Sequence, residues 1–308
     1  MRRRPPKGFE KPLEANRNTT RLAAQLNRSL QPEAHQLGLE LEACLADDSP
    51  SCGSGACPRC CREVRLQLLH EAGRFVRSST EKHMLTLIWK EFEVTPGRLH
   101  TLDMRVIKKK NERFLRRYLP KNLIVIGGID VSLTSFENDN FKWSVHIHVI
   151  ILKIGSGPSI EDYKEVLREK LPDDDIKRPL KVVEINPIRK RSAVTYCLKS
   201  SFEWRSGYLK TKNLQSRAPH RATRGLKLKP DAEVELRLWL SQWTMANRLI
   251  LVGVANPASP KSIKLRDTSR TPKQSEKDTC PAPGRSSVTR SRLAKKRSPR
   301  RRIKGGAG

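Results

Sequence analysis

Residues 122–154 read NLIVIGGIDVSLTSFENDNFKWSVHIHVIILKI, and the rhythm of this stretch decides the fold. Its first part, 122–134, is an apolar, β-branched run. A polar link, SFENDNFK, interrupts it. The run then resumes over 143–154 in strict alternation, which predicts two strands joined by a short connection. Successive side chains of a strand point to opposite faces. Val145, Ile147, Val149 and Ile151 therefore fill one face, suited to a core, and His146 and His148 share the other.

Outward from this pair the pattern continues. Residues 83–94 (HMLTLIWKEFEV) predict a further strand. Thr95 and Pro96 suit an N-cap and first helical position. Leu99, Leu102, Val106 and Leu115 carry that helix to about Tyr118. Downstream, Ser159 with Asp162 three residues later has capping-box spacing. Residues 180–185 (LKVVEI) predict another strand, and a helix follows from about Ser192 to Phe202. Strand, helix, strand, strand, helix, strand is the split βαβ order of a ferredoxin-like antiparallel sheet, so the expected class is α+β.

The flanks divide the chain into further segments. Residues 1–46 are a polar and helical leader, with 1–20 expected mobile and Leu22, Leu26 and Leu30 at helical spacing within 21–46. Residues 47–79 hold a cysteine-rich element and a helix over 62–78. The sheet occupies 80–204. Residues 205–254 comprise a basic loop over 205–229 and a helix over 231–248. Residues 255–308, rich in Pro, Ser, Lys and Arg, form a tail of the composition that stays disordered.

The chain carries 62 Lys and Arg against 32 Asp and Glu, a net charge of +30. From Ala255 onward there are 16 basic and 3 acidic residues, so the tail supplies +13 and the body keeps +17. A body this basic points to a polyanion partner, of which nucleic acid is the commonest. No stretch is long and apolar enough to cross a membrane, so no membrane partner is expected. The N-terminal MRRRPPKGFE lacks the apolar segment of a secretory signal. Four cysteines crowded between Cys52 and Cys61 do not resemble a secreted disulfide framework, which suits a reducing, cytoplasmic compartment.

Two constellations carry chemistry. His146 and His148 on one strand face make half a metal site, and Asp130 on the preceding strand is the best-placed third ligand, with Glu137 in the polar link as the alternative. An N,N,O set with open positions suits Mn²⁺ or Mg²⁺ when phosphate oxygens complete the shell. Tyr196 and Lys199, three apart in AVTYCLKSS, share a helix face, so a phenol and an ammonium can address one phosphate. Tyrosine attack on phosphorus leaves a covalent intermediate.

The segment from Ile124 to Lys199 resembles the HUH endonuclease domain of rolling-circle replication initiators from plasmids and phages. The core His146-Ile147-His148 matches the H-hydrophobic-H motif, and Tyr196-Cys197-Leu198-Lys199 matches Y-x-x-K. These specific motifs span about a quarter of the chain. The resemblance implies a βαββαβ sheet with the histidines on a central strand. It also implies that Tyr196 attacks single-stranded or hairpin DNA at a replication origin, stays joined to the 5′-phosphate and frees a 3′-hydroxyl as primer. A bacterial cytoplasm and a host helicase as partner go with that expectation. Some relatives carry two tyrosines a turn apart. Here Tyr208 lies too far along, so a single-tyrosine enzyme is expected. The upstream ligand is often glutamate in the family, and here it is the aspartate Asp130.

The cysteines offer a second metal. Cys57 and Cys60 form a CxxC knuckle, with Cys52 before it, Cys61 adjacent, and Cys44 and His70 within reach. A closed four-coordinate set would hold structural Zn²⁺, and many plasmid initiators resemble this chain in carrying such a cluster ahead of the HUH domain. The loop cations Arg205, Lys210, Lys212, Arg217, Arg221 and Arg224 are expected to hold DNA through phosphates rather than bases. Trp204 or Tyr208 could stack on an unpaired base. Two other readings remain open: a related relaxase or transposase, and a non-catalytic DNA-binding protein built on such an enzyme. A tyrosine placed after the histidines argues against a typical relaxase.

Overall fold

The structure is a computed structural model. It describes residues 5, 9–46, 51–136, 140–172, 176, 179–186, 190–199, 201–210, 220–256 and 264–267. These lie in one compact unit spanning residues 1–271. The expected disorder over 255–308 fails at its start, where the backbone ladder pairs Val254–Ala255 with Arg266–Asp267. Residues 257–263, those beyond 267, and the alternative ligand Glu137 fall outside the described residues.

Three helices come first: α1 (Pro12–Leu26), α2 (Pro32–Leu45) and α3 (Pro58–Ser78). Each has a proline in its first turn, where a missing N–H costs nothing and the fixed φ is already helical. Residues 12–20, expected mobile, are thus helical. The segment 21–46 is two helices rather than one, broken at Asn27–Gln31. α3 begins four residues earlier than its apolar periodicity suggests, which makes Cys60 and Cys61 helical.

The sheet elements follow: β1 (Glu81–Val94), α4 (Met104–Tyr118), β2 (Leu123–Phe136), β3 (Asn140–Lys153), α5 (Asp162–Glu169) and β4 (Leu180–Glu184). α4 is capped by Asp103, whose carboxylate accepts from the Arg105 backbone N–H at 2.7 Å. The Thr95-Pro96 start fails because Gly97 adopts φ 85°, which ends any helix begun there. Next come α6 (Lys190–Tyr196), β5 (Glu203–Lys210), β6 (His220–Lys227), α7 (Pro230–Ser241), α8 (Met245–Arg248) and β7 (Leu249–Val252). The expected basic loop is in part the β5–β6 hairpin, registered from Glu203↔Lys227 to Lys210↔His220. A hairpin at a sheet edge tolerates charge that a central strand would not. The helix expected over 192–202 stops at Tyr196. The one expected over 231–248 breaks into α7 and α8, after which β7 returns to the sheet.

The mixed sheet has the order β4-β1-β3-β2-β5-β6, and β7 also pairs with β2. β1 with β4, β1 with β3, and β3 with β2 are antiparallel, and β5 joins β2 in parallel. The outer edge of β2 is shared. Val125–Gly128 pair with β7, and Leu133–Ser135 pair with β5. Between them, Ile129–Ser132 have no strand partner on that side among the described residues.

Both faces of the sheet are covered. Val145, Ile147, Val149 and Ile151 of β3 join Leu85, Leu87, Ile129 and Val131 in a core shared with α1, α2, α4 and α7. Ile150 and Leu152 join Ile124 and Ile126 in a second core with α3, α6 and Met245. The second face turns polar at His148 and His146, and the candidate site lies there.

Candidate functional site

The register of β2 and β3 sets Asp130 directly across from His146 and Gly128 across from His148. The three ligand atoms converge. His146 Nε2 lies 2.9 Å from Asp130 Oδ2, and His148 Nε2 lies 3.4 Å from the same oxygen. All three residues are buried, at 1–4% exposure. On its other ring nitrogen, His148 meets the Thr86 hydroxyl at 2.9 Å, from β1. His146 Nδ1 lies 3.3 Å from the Ser144 carbonyl. Such outer partners fix the orientation of metal-binding imidazoles.

Lys199 reaches in from the turn after α6, with Nζ 2.8 Å from Asp130 Oδ2. Tyr196 closes α6. Its ring meets His148 edge-on at 4.9 Å between centroids, and Lys199 Nζ stands 5.8 Å from its ring centre. Tyr196 is 42% exposed, so the one phenol at the site faces solvent while the ligands beneath it do not. Burial alone would raise the Asp130 carboxyl, but His146, His148 and Lys199 outweigh it and hold the group well below the usual carboxylate range. Burial pushes the His148 imidazole down to about 4, which leaves it a neutral nitrogen donor near pH 7.

The donor set fits a divalent cation. Asp130 Oδ1 and His148 Nε2 are buried without a hydrogen-bond partner, an arrangement that ordinarily costs stability. The Lys199 ammonium already shows that the pocket takes positive charge against Asp130. One carboxylate and two imidazoles offer ligand atoms within 4.8 Å of one another, an arrangement consistent with binding a metal ion, and Tyr196 stands at the rim.

The chain matches no protein-family model, no curated protein and no solved structure. The functional reading therefore rests on the residues and their geometry.

Two features that hold the site together are not visible in the periodicity. Arg248, at the end of α8, is 1% exposed. Its guanidinium donates to the Ile129 carbonyl at 3.2 and 3.3 Å and to the Lys199 carbonyl at 3.2 Å. It thus fills the unpaired stretch of the β2 edge and ties the strand of Asp130 to the turn of Lys199. Gly128 lets that turn approach. A Cβ there would lie 2.2 Å from Leu198 Cδ2 and 2.7 Å from the Cys197 carbonyl oxygen. The signals in the sequence were a lone arginine before the apolar run LILV and a Gly-Gly pair inside a strand.

A second cluster forms 44–60. Cys44, from the end of α2, joins Cys52, Cys57 and Cys60, and their sulfurs all lie within 4.8 Å of one another. Cys60 Sγ is 3.4 Å from Cys52 and 3.6 Å from Cys44. Donation to Cys44 pushes the Cys57 thiol far up, while hydrogen bonds from Cys52 and Cys57 hold Cys60 far down. Four crowded sulfurs sharing protons unequally are the environment a thiolate-binding cation resolves. The fourth sulfur is Cys44 and not Cys61. Helix α3 turns Cys61 away from Cys60, into the second core, where its sulfur lies 3.3 Å from Met245 Sδ. His70 sits on the exposed side of α3, outside the cluster.

The expected DNA-holding cations are spread along the β5–β6 hairpin. Arg205 is half-buried on β5 and Arg224 exposed on β6. Lys210 and Arg221 also lie on these strands, one register step apart. Lys212 and Arg217 fall outside the described residues. Trp204 donates to Ser135 Oγ at 2.8 Å and packs on Phe141, a structural role. Among the described residues, no helix is long and apolar enough to cross a membrane.

Proposed function

We propose that the chain is a metal-dependent enzyme that nicks and rejoins single-stranded DNA through a covalent 5′-phosphotyrosine and so starts rolling-circle replication. The observation that carries this reading is the convergence of the solvent-facing Tyr196 phenol with the buried Asp130, His146 and His148. The antiparallel order β4-β1-β3-β2, threaded by α4 and α5, supports the ferredoxin-like HUH assignment. The basic body and the Y-x-x-K spacing support DNA as substrate.

Asp130, His146 and His148 would hold Mn²⁺ or Mg²⁺, which when bound polarises the scissile phosphate and offsets its charge. Tyr196 Oη forms the new bond to phosphorus as the bond to the 3′ oxygen breaks. The phenol proton leaves to solvent, and the departing 3′ oxygen takes a proton from solvent to become the free 3′-hydroxyl. Lys199, one turn on, supplies positive charge to the phenolate and to the pentavalent phosphorus. Because attack exchanges one phosphodiester for another, the step reverses when a 3′-hydroxyl returns, which gives joining. Cys44, Cys52, Cys57 and Cys60 would hold a structural Zn²⁺ that pins α2 to the start of α3.

The test is a denaturing gel of the protein with a labelled origin hairpin oligonucleotide and Mn²⁺. A covalent adduct is expected with the unmodified chain, and it should vanish in Tyr196→Phe, in His146→Ala and in EDTA. An adduct that survives Tyr196→Phe would refute the assignment of the nucleophile. No adduct on any hairpin substrate would favour the non-catalytic DNA-binding reading.

A further inference from the structure

We infer that the outer face of α4 is a docking surface for duplex DNA, separate from the strand-cleaving site. The inference rests on the reading that DNA is the partner, but not on catalysis. α4 carries seven cations in fifteen residues, MRVIKKKNERFLRRY. Four of them have partners of their own. Arg105 pairs with Asp103 at 2.9 Å, Lys110 with Glu91 at 2.5 Å, Lys108 donates to the Ala246 carbonyl, and Arg116 donates to the Leu251 carbonyl. The remaining three, Lys109, Arg113 and Arg117, are exposed and form no ion pair among the described residues.

These three recur at every fourth residue, so they stand one above another on a single stripe of the helix. Like charges at that spacing repel and weaken the helix. Such a stripe is tolerable where a polyanion neutralises it. The rise of 1.5 Å per residue sets neighbouring cations about 6 Å apart on a rigid rod. With Arg116 beside them, Lys109, Arg113 and Arg117 line one open depression, whose single acid, Glu112, is engaged by the Leu251 backbone N–H.

The stripe points to duplex rather than single-stranded DNA. Surfaces for unpaired strands carry aromatic rings on which bases stack. The exposed residues of α4 are Arg105, Val106, Lys109, Arg113, Arg116 and Arg117, with no aromatic among them. Of its two aromatics, Phe114 is buried against Trp89 beneath the helix, and Tyr118 is half-buried, packed on Phe114 and covered by the Arg117 guanidinium 5.4 Å from its ring centre. The stripe also lies on the other side of the sheet from Tyr196. α4 packs into the core with Ile129, Val145 and Ile147, whereas His146 and His148 point to the opposite face. A strand held in the cleavage site therefore does not cover it. The duplex flanking an origin would be gripped through phosphates, without reading of bases.

The experiment compares the full chain with the variant Lys109→Ala/Arg113→Ala/Arg117→Ala by fluorescence anisotropy on a blunt duplex, across a salt series. Loss of three phosphate contacts should reduce the slope of log K against log salt by about 2.7. Alanine favours helices, so the melting temperature should hold. A control, Arg17→Ala/Arg21→Ala/Arg28→Ala, removes the same charge from exposed positions of α1 and the turn after it and should leave the slope near that of the parent. Covalent adduct formation on a short single-stranded oligonucleotide should be unchanged in the α4 variant. A slope equal to the parent's, or reduced no more than in the control, would overturn the inference. So would a loss confined to the single-stranded substrate. A reduced slope in a chain that forms no adduct would uphold the surface while the catalytic reading fails.

Discussion

The most discriminating single substitution is Gly128→Ala, because it adds one methyl group at the point where two halves of the site meet. Gly128 faces His148 across the β2–β3 ladder and carries the turn of Cys197 to Lys199 on its other side. The added carbon would sit 2.2 Å from Leu198 Cδ2, 2.7 Å from the Cys197 carbonyl oxygen and 3.1 Å from the Arg248 carbonyl oxygen. The leucine can swing aside, but the carbonyls are backbone. Ordinary contact begins at 3.4 Å, so the Cys197 carbonyl must retreat by the difference, 0.7 Å. Lys199 is two residues along the same turn and ends 2.8 Å from Asp130.

Overpacking of this kind costs about 2 kcal/mol, which for an ordered body of this size lowers Tm by about 4–8 °C. The kinetic effect should be larger than the effect on stability. Misplacing a catalytic group by about 1 Å can cost on the order of 100-fold, so a shift of 0.7 Å should slow adduct formation by roughly 10- to 100-fold. The assay is single-turnover adduct formation at saturating oligonucleotide and Mn²⁺, at a temperature well below both melting points. DNA binding should be little changed, since of the basic residues only Lys199 is displaced and the cations of the β5–β6 hairpin and α4 stay in place. A rate within twofold of the parent's, with an unchanged Tm, would refute the argument that this glycine sets the approach of the turn. Full recovery on adding Leu198→Ala would place the conflict in the side chain instead of the backbone.

Arg248→Met keeps the bulk of the side chain but leaves the Ile129 and Lys199 carbonyls without their donor, at a cost of about 1–3 kcal/mol. A calorimetric Tm equal to the parent's would show that neither carbonyl needs it. In the cysteine cluster, Cys44→Ser should lower the zinc content of the reduced, purified protein from about one ion per chain, the number a closed four-ligand site takes, whereas Cys61→Ser should not. Equal zinc in both variants, by elemental analysis, would show that Cys44 is not a ligand.

The parts of the fold legible in sequence are those in which local pattern and tertiary role coincide. β3 alternates through His146 and His148 because one face there is core and the other, which becomes a second core at Ile150 and Leu152, holds the site, so both its strand character and its histidine pair could be read directly. Asp130 could be placed because an antiparallel partner joined by a short polar link has little freedom of register. What escaped were features decided by distant residues. β7 is only four residues, LILV, and becomes a strand because the β2 edge at Val125–Gly128 offers unpaired backbone groups. The β5–β6 hairpin is rich in charge and joins the sheet where β5 pairs with the β2 edge at Leu133–Ser135. Cys44 lies eight residues before Cys52 and was within reach in the sequence, but its choice over Cys61 as the fourth sulfur is made by the packing of α2 and α3. In the Tyr196 turn, sequence spacing placed phenol and ammonium on one helix face. The structure ends the helix at Tyr196 and reaches the same meeting through a turn held by Arg248 and admitted by Gly128. The candidate metal ligands were therefore readable from their own strands, while Arg248 and Gly128, which hold the Lys199 turn against them, were readable only once β2 was seen to have an incomplete edge.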